Sequence, residues 1–295
     1  MPDIVLLSPA GGPRLPDLKR PDLKLPDLKL EVVTDTLAGV HAAVAGGADR
    51  IELVSALGVG GVTPSLGLIQ AAGGCGIPVR TMIRPRAGDF TYSAGEIDLM
   101  RRDIDTARAA GLAGVVVGAN HAAGPLDAMV LDTLVRHAAG LEVAIHRSFD
   151  LAPDPAEALE TCISLGLVTI LTSGGPRHAA DGIDGIALCV AQARGRIDIM
   201  AGSGVTAANA AAIVAGSGVA WLHASCGAPL AAGVQPPADR VAALGGLTAG
   251  RTETIESVVR DLRGVLTRLA SDVHFPREVL TSQEVGTPTL RMTQS

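Results

Sequence analysis

Residues 78–92, PVRTMIRPRAGDFTY, hold the densest set of chemically capable side chains in the sequence. Arg84 and Arg86 flank Pro85, and Asp89 follows just beyond Gly88. Residues two apart on extended backbone lean to one side. Two guanidiniums beside one carboxylate therefore suit an anion-binding platform or an ion-paired tie between loop and strand. Two imidazoles, His146 and His223, close short apolar runs and could serve as general base, metal ligand or hydrogen-bonded core group. His41, His121, His137, His178 and His274 fall on helical or loop stretches and carry no such expectation. Glu31 and Glu52 lie mid-run among apolar neighbours, in LEVVT and RIELVS. A carboxylate buried there needs a partner, and Arg84 or Arg147 is expected to supply it. Glu52, Arg84, Arg86, Asp89, His146 and Arg147 make up the candidate acid–base and anion-clamping set.

Those groups need elements to hold them. Short apolar runs recur at 30–34, 50–55, 78–84, 114–119, 142–148, 168–173, 197–202 and 219–225. Helical patterns lie between them. Ser93 and Glu96 form a capping-box sequence before a helix that Gly111 should stop. Asp154-Pro155 sets an N-cap before a first-turn proline. Leu126, Val130 and Leu134 make a stripe ahead of Gly140, and Thr206 is expected to cap a helix running to about Ala215. Residues 252–270 carry a strong 3.6-residue apolar face. Eight β–α units predict an α/β fold, a (β/α)8 TIM-type barrel. A doubly wound sheet would bring a GxGxxG turn after the first strand, and none follows Thr34, so no nucleotide cofactor motif is read.

Such barrels place chemistry at the C-terminal ends of their strands. Small residues near the ends of strands six to eight, namely Ser173, Gly202, Ser203, Gly204 and Ser225, could let backbone N–H groups approach an anion. Without HxH or HExxH spacing, no metal centre follows from the pattern. His223 with Cys226 is the one imidazole–thiol pair near the expected mouth.

The remainder of the sequence narrows the class. Apolar residues make up 47% and aromatics 2%, so the core must be built from Ala, Val, Leu and Ile. A net charge of −6 argues against nucleic acid or an anionic membrane as partner. Cys75, Cys162, Cys189 and Cys226 stand far apart, a pattern of reduced thiols that fits a cytoplasmic protein. No apolar stretch reaches the length of a membrane span. Residues 13–29 repeat PDLK with a proline in every unit, and residues 1–28 are expected to form a disordered tail. The barrel is expected over 29–272, with a C-terminal tail over 273–295.

The sequence resembles the CutC family, described as copper homeostasis proteins. The matching pieces are GGADRIEL (46–53), GGVTPSLG (60–67), MIRPRAGDFTYS (82–93), HRSFD (146–150), LTSG (171–174), MAGSGV (200–205) and LHASC (222–226). The resemblance implies a TIM-type barrel, a cytoplasmic homo-oligomer (dimer or tetramer) and a copper-associated role. It also implies a Cu(I) site built on cysteines in stretches that read like LEVC and IELC. Here both positions are valine, Val33 and Val54, and valine offers no soft ligand. Two readings follow: a protein of copper homeostasis that binds copper, or a barrel enzyme using acid–base chemistry on a small phosphorylated or carboxylated metabolite.

Overall fold

The computed structural model describes residues 27–229, 243 and 252–271. Each of the eight apolar runs becomes a strand: β1 (Lys29–Thr34), β2 (Arg50–Leu53), β3 (Val79–Met82), β4 (Gly114–Val117), β5 (Glu142–Ile145), β6 (Thr169–Thr172), β7 (Asp198–Gly202) and β8 (Trp221–Ala224). All neighbouring strands pair in parallel, and β1 pairs with β8 to close the barrel. Helices α1 (Leu37–Gly46), α2 (Leu66–Ala72), α3 (Ala94–Ala109), α4 (Ala128–His137), α5 (Pro155–Ser164), α6 (Ile183–Ala193), α7 (Ala210–Ser217) and α8 (Glu256–Ser271) belong to the intervening and final segments. A short antiparallel ribbon, β9 (Gly227–Pro229) with β10 (Thr252–Thr254), follows the eighth strand.

Side chains alternate between two environments along every strand. Leu30, Val32, Ile51, Leu53, Val79, Ile83, Val115, Val117 and Ile170 pack outward into one apolar core with Val40, Ile104, Leu131, Leu159, Ile213 and Leu262 of the helices. The alternate positions face the barrel axis and mix polar side chains (Glu31, Arg50, Glu52, Arg80, Thr169, His223) with apolar ones such as Val33, Val116, Leu171 and Met200. Contacts across the barrel establish this: Arg80 of β3 donates to Thr169 of β6, and Arg50 of β2 reaches Met200 of β7.

Local signals account for most helix starts. Ser93 and Glu96 form the expected capping box, and Asp154 accepts from the Ala156 and Glu157 N–H groups beside Pro155. Two expectations are corrected. Asp127 caps α4, so Leu126 precedes that helix instead of opening its stripe. The seventh helix begins at Ala210, because Asn209 accepts from the Thr206 N–H and donates to the Gly204 carbonyl, forming a turn where a helical start was expected. Leu28, assigned by sequence to the tail, is buried, and its carbonyl accepts from Arg263. Residues 1–26 and 273–295 lie outside the described residues. No helix among the described residues is long and apolar enough to cross a membrane.

Candidate functional site

The alternation that makes the outer core apolar turns Glu31, Glu52 and His223 inward from β1, β2 and β8. All three are at least nine-tenths buried, at 1%, 2% and 7% exposure. Their strands are adjacent, and the register sets Glu31 beside both Arg50 and His223. Glu31 Oε1 lies 3.0 Å from His223 Nδ1, and its other oxygen accepts from Arg50 Nε. On the far side of the ring, His223 Nε2 lies 3.5 Å from Glu52 Oε2. Glu52 Oε1 is buried with no hydrogen-bond partner. One imidazole thus stands between two carboxylates, only one of which is fully engaged.

Environment divides the two acids. Burial alone would raise Glu31, but the His223 hydrogen bond and the Arg50 charge outweigh it and hold the carboxyl at about 2. At Glu52 burial dominates and the Glu31 charge adds to it, while His223 pulls the other way; its carboxyl is pushed up to about 7. Burial presses His223 downward, yet the Glu31 hydrogen bond and the charges of Glu52 and Glu31 hold the ring above its ordinary value. Next along the strands sit Val33 and Val54, packed with Met82 and the partly buried Leu57 in a small apolar cluster separate from the main core. Gly202 leaves room for the imidazole: a Cβ there would meet Leu171 Cδ1 at 2.5 Å and His223 Cβ at 3.2 Å.

The other residues singled out from sequence mostly engage their polar atoms elsewhere, although Arg84 Nε and His146 Nε2 are buried without a hydrogen-bond partner. Arg84 is buried and donates to the carbonyls of Val59, Gly61 and Gly88, tying down two loops. Arg86 pairs with Glu96 at 2.5 Å and with Asp89 at 3.1 Å, on the outer surface. The pair of arginines therefore does not share one side. Arg147 binds Asp150 and the Ser173 hydroxyl, and Ser173 also bonds Asp150 and the Pro176 carbonyl. His146 accepts from the Ser148 N–H through Nδ1, and burial, reinforced by the Arg84 charge, pushes its ring down to about 3. It stays neutral. Ser203 and Gly204 adopt left-handed backbone, and the Ser203 hydroxyl donates to the Arg177 carbonyl. Ser225 is exposed.

The partner expected for Glu31 is corrected: Arg50 fills that place, not Arg84 or Arg147. Arg50 and Arg80 were not among the candidates because they lie low on their strands, away from the C-terminal ends. Their signal was parity, since Arg50 lies two residues before Glu52, and Arg80 two before Met82. Arg80 is held by Glu142 and Thr169, so it stabilises the barrel floor instead of Glu52.

The donor set can be tested against metals. Glu31, Glu52 and His223 each offer a ligand atom within 4.8 Å of the others, and Glu52 Oε1 has nothing else to bind. Carboxylate and imidazole suit a divalent first-row ion. Cu(I), which prefers sulfur, fits poorly. Val33 and Val54 present hydrocarbon, and Met82 gives a lone thioether beside them. Cys226 packs into the outer apolar core, away from His223, and burial pushes its thiol up to about 12. It remains protonated, whereas the thiolate is the ligand form. The expected His223–Cys226 pair is therefore replaced by His223 with two carboxylates.

Comparison with known proteins agrees with this architecture. The CutC family model matches residues 28–228. A family protein CutC of Agrobacterium fabrum is 52% identical over 238 residues, covering 80% of this chain and 93% of the relative. One from Vibrio cholerae is 48% identical over 199 residues, 66% of this chain and 78% of the relative. A Streptococcus agalactiae structure, assigned by name to copper homeostasis as CutC, superposes with a TM-score of 0.65 at 32% identity, covering 67% of this chain and 98% of its own. Thiamine phosphate pyrophosphorylase from Pyrococcus furiosus, at 16% identity and a TM-score of 0.51 over 82% of this chain and 97% of its own, shares the fold alone.

Proposed function

The chain belongs to the CutC family, and we propose that it serves copper homeostasis by holding copper as the divalent ion at Glu52 and His223, with Glu31 behind the imidazole. Glu52 carries this reading: its Oε2 lies 3.5 Å from His223 Nε2 while its Oε1 is buried with no hydrogen-bond partner. A buried carboxylate oxygen with no donor costs folding free energy, about 1–3 kcal/mol or more, and a bound cation would repair it. Among divalent first-row ions a nitrogen–oxygen site binds Cu2+ most tightly. The two valines remove soft donors, and with them the basis for selecting Cu(I). The copper role in the name of the Streptococcus agalactiae relative supports the choice of metal.

Trp221, the single tryptophan of the chain, supplies the assay. Its ring carries the Arg50 guanidinium at 3.8 Å, and Arg50 in turn holds Glu31. Titration with Cu2+ should quench its emission at one ion per chain. Glu52→Gln and His223→Phe should each abolish the tight phase. Equal binding by the parent and both variants would overturn the assignment.

A second reading rests on the separation of the two acids. Glu31 at about 2 and Glu52 at about 7, either side of one imidazole, is the division of labour that general acid–base sites use. The chain would then be an enzyme acting on a small phosphorylated or carboxylated metabolite. A compound of that class that raises the melting temperature of chelator-treated protein would favour it. Absence of any shift across such a panel would favour copper.

A further inference from the structure

We propose that Arg50 is a positioning residue of this centre: through Glu31 it fixes the His223 ring so that Nε2, and not Nδ1, is presented to the bound ion. The inference deepens the copper reading and rests on it only for what occupies Nε2. Arg50 is buried at 5% exposure, and Glu31 is the carboxylate it pairs with. Three contacts hold the guanidinium still. It stacks on Trp221 at 3.8 Å, its Nη2 lies 3.8 Å from Met200 Sδ, and its Nε donates to Glu31 Oε2. That leaves Glu31 Oε1 pointing at His223 Nδ1, 3.0 Å away.

An ionised carboxylate can only accept, so Nδ1 must carry the ring proton. The neutral ring then has its lone pair on Nε2, on the side where Glu52 waits. A carboxylate behind the imidazole is how proteins commonly fix the tautomer and orientation of a ligating histidine. Here the carboxylate is itself fixed, by a cation whose hydrogen bonds go to Glu31 and Met200 and to neither the ring nor Glu52. Glu31 then acts chiefly through the imidazole, and its engagement by two donors explains why Glu52, not Glu31, has the free oxygen.

The tautomer can be read without metal, from 15N shifts of the histidine rings in chelator-treated protein at a pH where the ring is neutral. The parent protein should show His223 as the Nδ1–H form. Arg50→Met, which keeps the hydrophobic volume, should give a mixture or the Nε2–H form. Arg50→Lys should restore the original in part. Cu2+ affinity should fall about 10–100-fold in Arg50→Met and recover partly in Arg50→Lys. An Nε2–H ring in the parent protein would overturn the inference even if no variant folds, as would an unchanged tautomer in Arg50→Met. An Nδ1–H ring in a parent protein that binds no Cu2+ would support the positioning role and overturn the copper reading instead.

Discussion

Replacing Glu52 by Gln should make the metal-free protein more stable, and by an amount that depends on pH. The Glu52 carboxyl is pushed from 4.5 to about 7 by burial, with the Glu31 charge adding to it, against the pull of His223, Arg80 and Arg50. A carboxyl with a raised folded-state pKa binds its proton more tightly folded than unfolded. Its contribution is intact below pH 4.5 and is lost as pH rises through about 7. Each tenfold difference in proton affinity between folded and unfolded chain is worth about 1.4 kcal/mol, so the loss at alkaline pH is roughly 3 kcal/mol. Glu31 changes in the opposite sense, at pH values below the range compared. His223, which the Glu52 charge helps to hold above its ordinary value, titrates differently in the variant and contributes to the measured slope. Urea unfolding of chelator-treated parent and Glu52→Gln at several pH values from 4.5 to about 8.5 measures that difference. Any packing offset from the amide is constant, so the slope is the readout. The Gln variant should gain on the parent from pH about 4.5 to 7.5, by roughly 3 kcal/mol in all. A difference that does not vary with pH would refute the claim that Glu52 is an uncompensated buried acid.

Other consequences can be checked independently. Val33→Cys combined with Val54→Cys should add two sulfur donors beside Met82 and create Cu(I) affinity measurable against a competing chelator; the parent should lose that competition. The His146 ring, held down to about 3 from 6.5, contributes stability that is present above pH 6.5 and lost as pH falls toward 3. His146→Gln should flatten that acid loss, on the order of 4 kcal/mol, in pH-dependent unfolding. Gly118→Ala would drive a methyl into the His146 ring and the Ser148 hydroxyl and should cost about 1–3 kcal/mol in urea unfolding.

Much of the fold was readable because each strand announced itself as a short apolar run and each loop carried its own punctuation. Ser93 with Glu96 and Asp154 with Pro155 are local signals, so nothing distant had to be known. Thr206 misled because Asn209, three residues on, captured its N–H in a turn. The site was harder. Glu31, Glu52 and His223 could each be noticed as polar residues in apolar strands, but which of them meet depends on barrel closure, which brings β8 beside β1. The same closure explains Arg50, which lies at the low end of its strand and acts across the interior. Arg84 looked like an anion clamp because carbonyl acceptors from Val59 and Gly61, more than twenty residues away, leave no trace in its own motif. Cys226 looked available because the backbone turn that sends it outward, at φ 46°, is not written in LHASC.

The most direct test of the copper site is the X-ray absorption spectrum of protein loaded with one equivalent of Cu2+. Binding at Glu52 and His223 predicts a first shell of nitrogen and oxygen with the outer-shell pattern of a single imidazole, and loss of that pattern in His223→Phe. A sulfur scatterer in the first shell, or an imidazole pattern that survives His223→Phe, would contradict it.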